Sequence, residues 1–216
     1  MEKDASLLLS IRAEAEKFFS GAKGSHDLDH SLRVYSLAMH IAEKEKADFF
    51  VVGASALLHD IGRTYEYSSN GTIDHAKKSA ELARDILNRL SINNRQADNI
   101  IHCILSHRFM TGPAPKTIEA KVLFDADKLD SIGAVGIGRA FLFSGEIGAK
   151  LHDKDVDIEN TKPYTKDDTA YREFLVKLSK IKDNMMTKEG KKLAEERHRF
   201  MVEFFDRLNK EVEGLI

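Results

Sequence analysis

LDHSLRVYSLAMHIAEKEKADFFVVGASALLHDI, residues 28–61, is the stretch whose reading decides the fold. Within it Val34, Leu37, Ala38 and Ile41 recur at three- and four-residue intervals, which places them on one face of a helix. The apolar run from Phe49 to Leu58 is interrupted by Gly53 and Ser55 and falls far short of the roughly 18 apolar residues that span a bilayer. No proline occurs in residues 1–112, the three of the chain being Pro113, Pro115 and Pro163, so nothing there forbids a helix interior. Working outward, the helical period returns in Leu8, Ile11, Ala15, Phe18 and Phe19, and near the end in Leu193, Phe200, Phe204, Leu208 and Val212. Sustained period-2 alternation of β-branched and aromatic residues is missing. The expected fold class is all-α.

Breaks fall at 20–25, at 67–74 around Asn70-Gly71, at 91–94, at 111–116 and across 144–168. Between them, Asp74 is the expected N-cap of a helix over 75–90, Asn93 or Asn94 of one over 95–109, Thr117 of one over 118–130 and Asp168 of one over 170–182. No repeat, low-complexity tract or interdomain linker is found, although 150–168 is polar enough for a mobile surface loop. The chain is therefore read as a single domain over 1–216, with a core of about residues 20–140 and C-terminal helices of about 168–214 packed on it.

Thirty-three Lys+Arg against 35 Asp+Glu give a net charge of −2, with the basic residues scattered. Such a chain lacks the electrostatic footprint of a nucleic-acid polymer binder. No stretch suits a membrane, and the charged amphipathic first 25 residues carry no signal-peptide core. A lone cysteine, Cys103, makes no internal disulfide and reads as a buried small hydrophobe, so the expected location is cytoplasmic. Nine histidines in 216 residues are the first hint of chemistry.

Those histidines gather with aspartates in four places: His26-Asp27-Leu28-Asp29-His30, His59-Asp60, His75, and Asp125-Ala126-Asp127-Lys128. Imidazole and carboxylate are the ligand set of divalent metals, and a helical core brings side chains from distant segments to one point. His59 and Asp60 diverge by about 100° on a helix, so one inward site between their directions can use both. Their neighbours Ala56, Leu57, Leu58 and Ile61 are apolar, which makes an unpaired, unligated His-Asp costly to bury.

The order His, His-Asp, Asp in a helical chain resembles the HD superfamily of metal-dependent phosphohydrolases. It rests on SHDLDHSLRV (25–34), LHDIGR (58–63) and DADKLDSIGAVGIGR (125–139), and with FLFSGEIG (141–148) it looks like the bacterial predicted-hydrolase branch often called YedJ-like. The resemblance covers about residues 5–213. It implies an HD-domain helical bundle with additional C-terminal helices, and it implies His30, His59, Asp60 and Asp127 as metal ligands. Asp127 is preferred because it directly precedes Lys128-Leu129. Some branches hold a second metal with histidines of the intervening helices, and His75 and His107 fit that pattern, with a phosphate contact as the other role for His107.

Asp130 shares a helix face with Asp127 and is a candidate hydrogen-bond partner of a ligating imidazole. His26 and Arg33 are candidate substrate contacts, His26 serving equally well as an N-terminal cap. Arg63 and Lys128 stand where they can neutralise a substrate phosphate, Lys128 alternatively holding Asp60. His102, about 140° round its helix from His107, reads as structural. Gly133, Gly136 and Gly138 read as close helix packing rather than as a phosphate loop, since no strand precedes them.

The function implied is hydrolysis of a small, nucleotide-like phosphate ester or anhydride, with one or two divalent ions (Mn, Fe, Co, Ni, Zn or Mg) and Asp60, Arg63 and Lys128 in the catalytic machinery. Two alternatives stand beside it: a di-iron oxygenase on the same scaffold, and a regulatory module that binds metal and nucleotide without turnover. A homo-oligomer is compatible with the phenylalanines of the last helix.

Overall fold

The described residues, 2–19, 27–108 and 112–216 of a computed structural model, contain ten α-helices and one 3₁₀ segment joined by turns and irregular segments, and no strand. The expected break at 20–25 and His26 lie outside them, as does Thr111. By contact density the chain divides into two units, Met1–Asp127 and Lys128–Ile216.

In the first unit α1 (Glu2–Glu16), α2 (Leu28–Glu45), α3 (Phe49–Leu58), α4 (Arg63–Ser68), α5 (His75–Arg89) and α6 (Asn94–Ser106) precede α7 (Ile118–Leu129), which crosses into the second unit. The apolar run around Gly53 becomes α3, buried from Phe50 to Leu58 and packed against α1, α2 and α6. A helix apolar all round belongs in a core. A Cβ on Gly53 would stand 3.1 Å from both Leu8 and Tyr35, so glycine is what lets α1 and α2 approach α3. The predicted stripes face inward: Ile11, Ala15 and Phe19 are buried, as are Val34, Ala38 and Ile41. Asp48 caps α3 through the amides of Phe50 and Val51, Asp74 caps α5 through Ala76 and Lys77, and Asn93 caps α6 through Gln96. Thr117 Oγ1 accepts from the Ala120 amide at the start of α7. Cys103 is fully buried, and burial pushes its thiol up to about 12.

In the second unit α8 (Gly133–Glu146) packs on α9 (Ala170–Val176) and α10 (Lys188–Val212), and the 3₁₀ segment Leu178–Asn184 packs on α9 and α10. Three expectations are corrected here. The cap of α9 is Thr169, which accepts from the Arg172 amide, and the helix expected to 182 stops at Val176, where Lys177 leaves helical geometry (φ −135°). Asp168 is instead buried and paired with Arg172 (2.8 Å), whose guanidinium also bonds the hydroxyl and carbonyl of Thr161. The segment 150–168 is joined to α9 through this buried pair and through Thr161. The buried face of α10 is Gly190, Ala194, Met201 and Phe205, rotated from the predicted stripe, so that Phe200 and Val212 are about half exposed. Phe205 stacks on Phe174 (4.8 Å between ring centroids) and meets Tyr171, which fixes that rotation.

The glycines of α8 differ from one another. Gly133 opens the helix at φ +77° with the Arg197 side chain against it, and a Cβ on Gly136 would strike the Ser131 carbonyl. Gly138 faces open space within its unit, so close packing there does not explain it.

Candidate metal centre

His30 lies in the first turn of α2, which begins there because Asp27 accepts from the His30 amide (3.0 Å). His59 ends α3, and Asp60 follows in the turn to α4. That turn is locked by Gly62: its amide donates to Ser79 Oγ (2.9 Å), and a Cβ on it would lie 2.7 Å from the His75 carbonyl and the Ser79 nitrogen. The same lock sets His75, first residue of α5, beside Asp60. His107 closes α6, and Asp127 comes from α7. Five of these six side chains are essentially inaccessible, and Asp127 is 15% exposed.

The six form two groups, each with ligand atoms within 4.8 Å of one another: His30, His59 and Asp127, then Asp60, His75 and His107. His30 Nε2 is 3.4 Å from both His59 Nε2 and Asp127 Oδ1. His75 Nε2 is 3.3 Å from His107 Nε2. Asp60 stands between the groups, its Oδ2 being 3.8 Å from the Nε2 atoms of His30 and His59 and its Oδ1 3.5 and 3.7 Å from those of His75 and His107.

Hydrogen bonding on the far side of each ring decides what faces inward. His59 Nδ1 lies 2.8 Å from the Ala56 carbonyl and His107 Nδ1 2.6 Å from the Ile104 carbonyl. His75 Nδ1 lies 2.9 Å from Glu66 Oε2. A carbonyl or carboxylate only accepts, so each Nδ1 carries the proton and donates, leaving Nε2 with a bare lone pair. The lone pairs of His75 and His107 then face each other with a carboxylate oxygen alongside, which is repulsive unless a cation lies among them. Two imidazole nitrogens about 2.1 Å from one ion stand roughly 3.0–3.4 Å apart at octahedral or tetrahedral angles, and both His pairs match that separation. The residues present therefore fit a divalent metal, and Asp60 is placed to serve both groups.

Electrostatics favour the same protonation states. Burial holds His59 and His75 below the ordinary imidazole range and takes His107 down to about 3, so the rings are neutral at physiological pH. Burial by itself would raise Asp60, but the Arg63 guanidinium overrides it and holds the carboxyl well below its usual range. Arg63 grips both oxygens of Asp60, with Nη2 at 3.1 Å from each and Nε 3.3 Å from Oδ2.

Arg63, read from the sequence as a phosphate contact, spends its guanidinium on Asp60 and on Glu66 (2.9 Å). Arg33 is half-buried on α2, one turn past His30, and Lys128 follows Asp127 in the last turn of α7. Asp130, in the second unit, is buried and receives Arg139 (2.8 Å). The His102 ring accepts the Lys116 amide (3.0 Å), a local structural bond. Sequence reasoning passed over Glu66 and Gly62. Glu66, three residues past Arg63 and nine before His75, had no signal of its own, whereas Gly62, inside the His-Asp-Ile-Gly-Arg run, did.

Residues 27–132 match the HD domain. Over 209 residues, 95% of this chain and 93% of the other, the sequence is 36% identical to the uncharacterized protein YpgQ of Bacillus subtilis. The crystal structure of that YpgQ in complex with ADP is similar with a TM-score of 0.75 and 35% identity, covering 96% of each chain. An HD-superfamily hydrolase of Bacillus thuringiensis has a TM-score of 0.76 at 27% identity, over 97% of this chain and 98% of its own. About half of the chain is also similar to Ribonuclease Y of Chloroflexus aurantiacus, 34% identical over 106 residues that make up 18% of that protein. With the domain match and a relative alike over nearly its whole length, the chain belongs to the HD-domain family.

Proposed function

We propose that the protein is a metal-dependent phosphohydrolase acting on a small nucleotide-like phosphate ester or anhydride. The observation that carries this reading is the Asp60 carboxylate set between two pairs of imidazole nitrogens. The family supports hydrolysis, and the ADP bound by YpgQ supports a nucleoside phosphate as the ligand class. When bound, divalent ions in such a site lower the pKa of water and polarise a phosphoryl oxygen.

The chain's own residues supply the rest. His30, His59, Asp60 and Asp127 hold one ion, and Asp60, His75 and His107 hold a second. Arg63 keeps Asp60 ionised and fixes its two oxygens, one toward each group. Burial keeps the rings of His59, His75 and His107 neutral, so no proton must leave them before an ion enters. Arg33 and Lys128 bring positive charge for the phosphates, with His26 as a further substrate contact. The buried lone thiol agrees with a reducing, cytoplasmic setting.

The test is phosphate release from a panel of nucleoside mono-, di- and triphosphates with Mn²⁺, Co²⁺, Ni²⁺, Mg²⁺, Fe²⁺ or Zn²⁺, using wild type and Asp60→Asn. Turnover in the wild type falling at least about 100-fold in the variant, with an unchanged far-UV spectrum, is the predicted result. Tight nucleotide binding without turnover under any metal would replace this reading by the regulatory one. Iron-specific, O₂-dependent turnover without phosphate release would replace it by the di-iron one.

A further inference from the structure

Glu66 lies behind the second group of donors, against His75 and Arg63 rather than among the ligand atoms. It lies on the short helix α4, is 14% exposed, and its carboxylate is shared among three cations or donors. Oε2 is 2.9 Å from His75 Nδ1 and 2.9 Å from Arg63 Nη1, while Oε1 is 3.6 Å from Arg108 Nη2. Arg63 in turn clamps Asp60, and Arg108 bonds Asp74 (2.7 Å), the residue that caps α5 and so sets where His75 begins. One carboxylate thereby governs the tautomer of His75 directly, the orientation of Asp60 through Arg63, and the start of α5 through Arg108.

The tautomer argument is specific to this ring. His59 and His107 donate Nδ1–H to carbonyls of their own helices, which come with the fold. His75 is the first residue of its helix and has no preceding turn to receive its proton. Arg63 Nη1, 3.1 Å from His75 Nδ1, is itself a donor and would invite the opposite tautomer, with the lone pair on Nδ1 and the proton on Nε2. A lone pair on Nδ1 would also face the Glu66 carboxylate 2.9 Å away. Glu66 removes the ambiguity by accepting from both Arg63 and His75, which leaves His75 Nε2 bare toward His107 and Asp60.

We propose that Glu66 is a positioning residue for the second ion: it selects the ligating tautomer of His75 and couples that ring to the Arg63 clamp on Asp60. The role rests on the two-ion reading of the site given above. Carboxylates that orient ligating imidazoles in this way are worth about 10–100-fold in metal affinity.

The experiment titrates the full-length, metal-stripped protein with Mn²⁺ and reads both dissociation constants, together with the Nδ1–H resonances of the histidines in the Zn²⁺-loaded protein. In Glu66→Ala one Mn²⁺ constant should rise 10–100-fold and the other by clearly less, and one Nδ1–H resonance should be lost. Glu66→Gln keeps an oxygen that accepts from Nδ1–H, so it should recover most of the affinity and the resonance. Two ions bound with unchanged constants in Glu66→Ala would overturn the proposal. Equal loss of both ions in Glu66→Ala and Glu66→Gln would also overturn it, since that is the mark of a scaffold residue. A wild type that binds one ion only would refute the two-ion reading itself, before any variant is compared.

Discussion

At the scale of single residues the rings of His59, His75 and His107 are kept neutral by burial, and this has a consequence for stability. His107 is held at about 3 in the fold against an ordinary value of 6.5, and burial depresses His59 and His75 as well. Between those limits the unfolded chain binds the proton that the folded chain refuses. The contribution of His107 is therefore complete above pH 6.5 and is lost as pH falls toward 3, with a slope of at most about 1.4 kcal/mol per pH unit. Urea melts of the metal-free protein between pH 7 and pH 5 should show stability declining with acidification, and His107→Gln should flatten that decline by about one proton. A variant with the wild-type slope would contradict the assignment. The chemistry-bearing residue types were legible in the sequence because buried His and Asp are costly and hence conspicuous among Ala, Leu and Ile. Glu66 was not, because an acidic residue in a polar segment between Arg63 and His75 looks like any solvated side chain until the fold folds it back onto the ring.

At the scale of elements, the connection from α3 through Asp60 to α5 carries the site, and Gly62 is its tightest point. Its missing Cβ leaves room for the backbone of His75 and Ser79 at 2.7 Å, and backbone cannot move aside as a flexible side chain would. Gly62→Ala should cost about 1–3 kcal/mol in denaturant unfolding and weaken Mn²⁺ binding at the His75 group more than at the His30 group. A variant with wild-type stability would show that the close approach is not limiting. Helix existence and capping were readable where a side chain and a period act locally, as at Asp74, Asn93 and Thr117. They misled where tertiary contacts decide. Asp168 looks like a cap but is drawn into a buried pair with Arg172, and the aromatic stack of Phe205 on Phe174 turns α10 away from the stripe its phenylalanines suggested.

At the scale of the whole molecule, the all-α class followed from the helical periods and from the absence of proline over the first 112 residues, both properties of the chain as a string. The number of ions it holds is a property of the folded object. His75 and His107 are separated by 32 residues, and only the packing of α5 on α6 sets their Nε2 atoms 3.3 Å apart with Asp60 beside them. The central claim is that this second group completes a two-ion centre built around one shared carboxylate. Elemental analysis of protein purified without chelator tests it most directly, on wild type beside His75→Ala and His107→Ala. Two ions per chain in the wild type falling to one in each variant is the predicted result; a single ion, unchanged by either substitution, would contradict it.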